Sequence, residues 1–318
     1  MKIIDANAIE LEEQDILKKI ERCGRVCYKS EGQITEGSAY AFVDKLIKRK
    51  HFAMTEHAPI VLRVTERIAN SILRLGHGTF LNVTLNGTEE RYIISGNVRA
   101  WYNLLNGAEF VKAAGAVIKT LSVYLQTSLG IEIFTLLFGK ENRHTINTTG
   151  NYILSQKDIL ALPNLTEKEA LSHLYLTCLF TCDRGVSHEL VRMRTASFAQ
   201  ESTRYCNYSK EKFGNEITVI DPHFTGSANM MWFAACHKAE DKYFKMLDWG
   251  LTPQQARTVL PNSLKTEIVM SCNLAEWQHV FDLRYHGTTG APHPQMLEVM
   301  SIWYNIVKAK KGYNRWIK

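Results

Sequence analysis

The chain has 318 residues, 45% of them hydrophobic and 22% charged, which is the make-up of a globular protein with a sizeable core and excludes a disordered or fibrous chain. Its net charge of +6 is mild and spread along the chain, suiting anionic small molecules at least as well as nucleic acid. No apolar run approaches the ~20 residues of a membrane span, Met1-Lys2-Ile3-Ile4-Asp5 lacks a signal-peptide pattern, and the seven cysteines show no disulfide rhythm, so a cytoplasmic setting is expected.

In chain order, Ser38 reads as the N-cap of a helix through Lys50, with Tyr40, Phe42, Val43, Leu46 and Ile47 as its apolar stripe and Lys45, Lys48, Arg49 and Lys50 near the C-terminal end, where cations suit the dipole. His51 to His57 reads on spacing alone as a polar turn. Ile60, Leu62 and Val64 alternate with polar or outward positions, predicting a strand. Ile68, Ile72, Leu73 and Leu75 have helical spacing and run into a turn-rich piece around Gly76, Gly78, Asn82, Asn86 and Gly87. Arg91 to Trp101 predicts a strand entering a helix through Ser95-Gly96-Asn97, with Asn97 as the cap. Residues 112–137 predict a helix with Val117, Leu121, Tyr124 and Leu125 inward. The polar stretch from Gly139 to Asn164 is the best candidate for an exposed insertion or lid, and Asn147-Thr148-Thr149 matches a glycosylation acceptor that means nothing without a secretory signal.

Leu174 to Cys182 predicts a strand and, after Asp183-Arg184-Gly185, Val186 to Arg194 predicts a helix. Then comes the densest stretch of chemistry in the sequence: Arg192-Met193-Arg194-Thr195-Ala196-Ser197-Phe198-Ala199-Gln200-Glu201-Ser202-Thr203-Arg204-Tyr205. Guanidinium forks, hydroxyls and backbone N–H groups at a helix end are what a phosphate needs. A lone Arg-x-Arg is usually a solvated helix end, and the spacing of Ser197, Gln200, Ser202 and Arg204 behind it argues against that here. Ile217 to Pro222 predicts another strand. Asn229 to Trp249 predicts a long helix with Met231, Ala234, Ala235, Tyr243, Met246 and Leu247 on its apolar side, ended by Gly250. Thr252-Pro253-Gln254-Gln255 starts a helix by cap, proline and capping-box rules together. Cys272 to Arg284 predicts an amphipathic helix with Trp277, Phe281 and Leu283 in the core. No internal repeat and no dividing linker stands out. Cys23/Cys27 and Cys178/Cys182 stand four apart without a second pair at zinc-ligand spacing, so no metal is expected.

Arg-x-Arg-x-x-Ser followed by Gln-x-Ser-x-Arg-Tyr resembles the signature of the flavin-dependent thymidylate synthases, the ThyX family, with Met193 where its usual Arg-His-Arg has His. Gly250 to Pro261, with Arg257, and Asn273 to Arg284 are similar to further segments of that family, and His51, Glu56 and His57 match its turn before the first strand, with Ala53 where a hydroxyl residue is common. The resemblance implies an α/β (α+β) fold with a mixed sheet and long helices. It implies one catalytic domain over 1–318 with an insertion around 76–170, and a homotetramer whose sites are shared between chains, Arg192 and Arg257 coming from different subunits.

By the same resemblance the substrate is dUMP, the cofactor FAD, the reductant NADPH or NADH, and the one-carbon donor 5,10-methylenetetrahydrofolate; neither membrane nor nucleic acid is an expected partner. Glu189, Arg192, Gln200, Glu201, Ser202, Thr203, Arg204, Arg257 and Arg284 would meet dUMP, with Arg257 at the phosphate and Arg284 polarising the pyrimidine as the catalytic group. His51, Ala53, Glu56, Arg192, Met193, Arg194, Gln200, Asn273, Ala275 and His279 would meet FAD. Ala275 stands where many relatives have Arg, and Glu189 where many have Gln, so Glu189 would need protonation or an arginine partner beside an anion. Two other readings stay open: a ThyX-like enzyme placing another one-carbon group, such as hydroxymethyl, at pyrimidine C5, and a non-catalytic nucleotide or RNA binder.

Overall fold

A computed structural model describes residues 1–76, 80–107, 112, 115–144 and 150–318, apart from the Lys212 side chain. Gly78 of the expected turn, and Thr145 and the Asn147-Thr148-Thr149 run of the expected insertion, lie outside the described residues.

The chain opens with strands β1 (Lys2–Ile4) and β2 (Asn7–Glu10) and helices α1 (Ile16–Val26) and α2 (Ser38–Lys48). Gly37, with φ +81°, takes the N-cap place expected of Ser38, and the Ser38 hydroxyl instead donates to the Glu21 carboxylate at 2.8 Å. A 3-10 turn (Phe52–His57) leads into β3 (Pro59–Arg63), α3 (Glu66–Arg74), β4 (Asn82–Asn86), β5 (Arg91–Asn97) and α4 (Val98–Asn106). β4 occupies part of the piece expected to be turns. The helix expected over 112–137 is two, α5 (Ala116–Leu129) and α6 (Ile131–Phe138), broken at Gly130 with φ +81°. Two capped short helices follow, α7 (Gln156–Leu160) and α8 (Glu167–His173), in which Asp158 and Glu169 reach back to the Ser155 and Thr166 backbones.

The second half contains β6 (Tyr175–Asp183), α9 (Arg184–Leu190), β7 (Ser197–Gln200), β8 (Thr218–Ile220), α10 (Gly226–Asp248), α11 (Pro253–Ala256), β9 (Lys265–Asn273), α12 (Leu274–Arg284) and α13 (Pro294–Ala309). α9 ends four residues earlier than expected, so Arg192 and Arg194 stand in the turn after it.

The α+β class is as expected, but in place of a mixed sheet the described strands are spread over three sheets, none of which combines the two pairings. β2-β6-β9-β7 and β3-β5-β4 are wholly antiparallel, and β1 pairs with β8 in parallel. In the three-stranded sheet Pro59 lies opposite Asn97 and Asn82 opposite Ser95. In the four-stranded sheet Tyr175 lies opposite Asn273 and Ser197 opposite Ser271.

Each of these two sheets carries its own core. One gathers Phe180, Leu190, Trp277, Phe281 and Trp303, and the other Ile60, Leu62, Trp101, Leu121, Phe134 and Phe138. Residues 76–170 therefore supply two strands and most of the helical cover of the second sheet. Within the polar stretch expected to be a lid, Asn142, Leu154 and Ile159 are buried, and Leu154 N donates to the Val61 carbonyl at 2.8 Å, lacing that segment to β3. On α10 the expected apolar side holds only for its C-terminal half, where Tyr243 is buried and Met246 and Leu247 pack against its cluster. Cys236, Glu240 and Tyr243 face inward, whereas Met231, Ala234 and Ala235 face outward and Met231 is 74% exposed. Leu283, also expected in the core, is half-buried beside fully buried Trp277 and Phe281.

Candidate active site

A cavity of about 900 Å³ lies between the two antiparallel sheets. Both strand-to-helix junctions open onto it. Asn97 ends β5 and caps α4 by accepting from Ala100 N at 2.8 Å, and Asn273 ends β9 and caps α12 by accepting from Glu276 N at 3.0 Å. Of the residues expected to meet FAD, Glu56, Arg194, Asn273 and Ala275 line this cavity. His51, Ala53, Arg192, Gln200 and His279 are not among its lining.

Met193 belongs to the core with Val186 and Leu190 and is 6% exposed, so the place where the motif would have His turns into the interior. Val186, Leu190 and Met193 share one side, as their helical spacing predicts, and Met193 is packed in the core and is not among the lining of the cavity. Thr195 donates to the Glu276 carboxylate and ties the arginine turn to the start of α12.

The cavity floor is polar and buried. His57 Nδ1 bonds Ser271 Oγ at 2.8 Å, and Ser271 in turn bonds Thr177 Oγ1 at 2.9 Å. Behind the opposite wall, outside the cavity lining, His173 Nδ1 bonds Ser95 Oγ at 2.7 Å, and His173 Nε2 bonds Thr84 Oγ1 at 2.7 Å. Ser95 also bonds the hydroxyl of Tyr175, which accepts from Asn82 Nδ2 at 3.1 Å. Burial depresses both imidazoles, His57 to about 3 and His173 to about 4. Both rings are neutral at pH 7.

The residues expected to meet dUMP divide. Thr203, Arg204 and Arg257 stand together: Arg257 Nη1 donates to Thr203 Oγ1 at 3.2 Å, and Arg204 Nε donates to Gln254 Oε1 at 3.4 Å. The resemblance assigns Arg257 to a neighbouring subunit's ligand; here it bonds Thr203 of its own chain. Ser202 Oγ accepts from Arg204 N at 3.3 Å, shaping the turn. Arg284, the last residue of α12, donates from Nη1 to Glu189 Oε2 at 2.9 Å, which is the arginine partner Glu189 needs. The Arg284 Nε is buried and has no hydrogen-bond partner among the described residues.

Two further members turn inward. Gln200 Nε2 donates to Ser187 Oγ at 2.8 Å and Thr266 Oγ1 at 3.2 Å. Glu201 is 1% exposed and pairs with Lys265 Nζ at 2.8 Å. Burial would lower the Lys265 ammonium, but Glu201 and Glu267 more than offset it, and its pKa is raised. Glu201 thus holds β9 to the chain after β7, and it is not among the lining of the large cavity. Glu201→Ala is expected to cost about 3 kcal/mol, the low end for breaking a buried ion pair because Glu267 still faces Lys265 at 2.9 Å. Urea unfolding checks this: a loss below ~1 kcal/mol would mean that the pair adds nothing.

Sequence reasoning missed Asn82, Asn97, Arg99, Asn103 and Tyr175, all of which line the cavity. The signal was present in Ser95-Gly96-Asn97-Val98-Arg99, which reads as a structural junction until the opposite wall is seen. Arg99 pairs with Glu56 at 2.5 Å on the cavity wall.

A protein-family profile described as "Thymidylate synthase complementing protein" matches residues 141–310. Among curated proteins, the chain is 31% identical over 136 residues to a flavin-dependent thymidylate synthase of Geobacter sulfurreducens, covering 41% of this chain and 58% of that one. It is 35% identical over 105 residues to one of Pyrococcus horikoshii, covering 32% and 43%. The chain thus spans about half the length of the curated relatives it matches. Among solved structures, a UMP/dUMP methylase PolB from Streptomyces cacaoi aligns over 97% of this chain and 92% of its own, with a TM-score of 0.40 and 13% identity. ThyX from Helicobacter pylori with FAD and dUMP aligns over 51% and 81%, with a TM-score of 0.37 and 20% identity. No helix among the described residues is long and apolar enough to cross a membrane. Because the profile match takes in β6, β9, α12 and the arginine turn and extends over more than half of the sequence, the chain belongs to the thymidylate synthase complementing protein family.

Proposed function

We propose that the chain is a flavin-dependent thymidylate synthase that converts dUMP to dTMP with methylenetetrahydrofolate as one-carbon donor and NADPH or NADH as reductant. The observation that carries this reading is Arg284: one end is fixed by Glu189 while its buried Nε lacks an acceptor. The side chain is 18% exposed, and a carbonyl oxygen or deprotonated ring nitrogen of a pyrimidine brought against its remaining N–H groups would draw charge toward itself, making the ring carbon a better nucleophile. Thr203, Arg204 and Arg257 supply a hydroxyl and two guanidinium forks for the monophosphate.

The large cavity suits FAD. Its volume is near the top of the ~300–1,000 Å³ range of ligand pockets. Ile72, Leu73, Leu81 and Val83 give it apolar walls, and Asn82, Asn273 and Arg194 give it donors for ring edges and phosphates. The chemistry that FAD would supply there is hydride transfer. The chain's own part is to bind, orient and exclude water. Four chains sharing sites belong to the same reading, and the exposed Met230 and Met231 on α10 are apolar surface that such an assembly would cover.

Purified protein mixed with FAD, dUMP, methylenetetrahydrofolate and NADPH is expected to yield dTMP by mass spectrometry. A chain that binds FAD and dUMP yet forms no 5-substituted nucleotide would overturn the reading.

A further inference from the structure

The two sheets that wall the cavity repeat one another bond by bond. β3-β5-β4 and β6-β9-β7 have the same order, with Pro59 opposite Asn97 as Tyr175 is opposite Asn273, and Asn82 opposite Ser95 as Ser197 is opposite Ser271. In each copy the residue after the capping Asn donates its N–H to the residue before the first strand: Val98 to the Ala58 carbonyl at 2.9 Å, Leu274 to the Leu174 carbonyl at 3.0 Å. In each a buried Trp, four residues after the Asn, donates to the second residue of that strand: Trp101 Nε1 to the Ile60 carbonyl and Trp277 Nε1 to the Leu176 carbonyl, both at 3.2 Å. The histidine that precedes each unit crosses to the serine of the other, His57 to Ser271 and His173 to Ser95. The expectation of a chain without internal repeat is thereby corrected, and residues 57–106 match 173–284 as the second copy of one unit facing the first across the cavity.

Against this symmetry one difference stands out. Two residues after the capping Asn, the first copy has Arg99 and the second has Ala275, and both line the cavity. The partner position differs as well: Glu56, which holds Arg99, corresponds to Ser172. A guanidinium fixed by one carboxylate on the wall of a ligand cavity keeps N–H donors for an anion.

We infer that Arg99 is a binding residue for a phosphate group of the dinucleotide held in this cavity, and that the N-terminal copy supplies the guanidinium that position 275 of the C-terminal copy lacks. The inference rests on the reading of the cavity as a flavin site and adds to it the residue that grips the charged part of the ligand.

The test is a titration of the unaltered chain, Arg99→Gln and the double variant Arg99→Gln/Ala275→Arg with FAD and with riboflavin, which has the ring system and no phosphate. Flavin fluorescence gives the Kd and circular dichroism checks folding; Arg99 is 46% exposed on its side chain, so the substitution leaves the core intact. Arg99→Gln is expected to weaken FAD binding at least about tenfold, the usual scale of one charge-assisted contact, and to leave riboflavin within about threefold. Ala275→Arg in that background is expected to recover most of the loss from the opposite wall. An unchanged FAD Kd, an equal loss for riboflavin, or no recovery in the double variant would overturn the inference. If the unaltered chain binds no FAD, the functional reading itself falls.

Discussion

Between pH 6.5 and pH 4.5 the protein is expected to lose about 5 kcal/mol of stability through two histidines alone. His57 and His173 are fully buried, with folded pKa values of about 3 and about 4 against an ordinary 6.5. For His57, burial is the main cause and the Lys19 ammonium adds to it, with the Phe198 backbone opposing; for His173, burial acts against Glu169. A depressed imidazole cannot take up a proton when the unfolded chain can. The unfolded state therefore binds more protons as the pH falls below about 6.5, and stability drops until the folded pKa is reached. Each ring contributes about 1.4 kcal/mol per pH unit, so the pair contributes about 2.7, and two units approach the whole stability of a typical domain. Urea unfolding at pH 7, 6 and 5 measures the slope. The double variant His57→Asn/His173→Asn is expected to be less stable at pH 7 and much flatter with pH; a slope as steep as that of the unaltered chain would show that other groups govern acid unfolding.

On the proposed function, Arg284→Ala is expected to slow formation of the methylated nucleotide by about 10²–10³-fold, the equivalent of losing ~3–4 kcal/mol from a preorganised donor aimed at developing charge. Folding should barely register the change. The Arg284–Glu189 pair is partly exposed, 18% and 31% on the two side chains, and ion pairs of that kind contribute at most about 1 kcal/mol. Single-turnover rates with pre-reduced enzyme, read beside the Tm, separate the two effects. Glu189→Gln should retain much of the rate, because an amide oxygen can still accept from Nη1. A loss below about fivefold in Arg284→Ala, or a Tm that falls in proportion to the rate, would place Arg284 in the scaffold.

The sequence carried the local rules of this fold well and its directions less well. Asn97 as a cap, Thr252-Pro253 as a helix start and the strand from Leu174 are all where residue chemistry puts them, because a cap or a proline acts within one turn of chain. Arg204 and Arg257 stand out in the sequence as guanidinium groups near hydroxyls, and each bonds the segment that carries the other, Arg204 to Gln254 and Arg257 to Thr203. Whether a side chain points in or out is set by how the neighbouring turn is wound. Gln200 and Glu201 turn inward where the chain after the arginine turn meets Ser187 and Lys265. The outward Met231 was misassigned because Met and Ala fit either side of a long helix that touches the core over part of its length. The repeat escaped notice because the two copies share few side chains beyond one His, one Ser, one Asn and one Trp; what they share is backbone pairing, which many sequences can satisfy.

The crossed histidine–serine bonds have a mechanical side. Each imidazole stands two residues before a strand of one sheet and its serine partner in the other sheet, so prising the sheets apart would rupture two desolvated links at once, each expensive to leave unmet. The slot between them is therefore a vice already tightened. The cavity between them is thereby held at a set width by bonds that lie in and behind its walls.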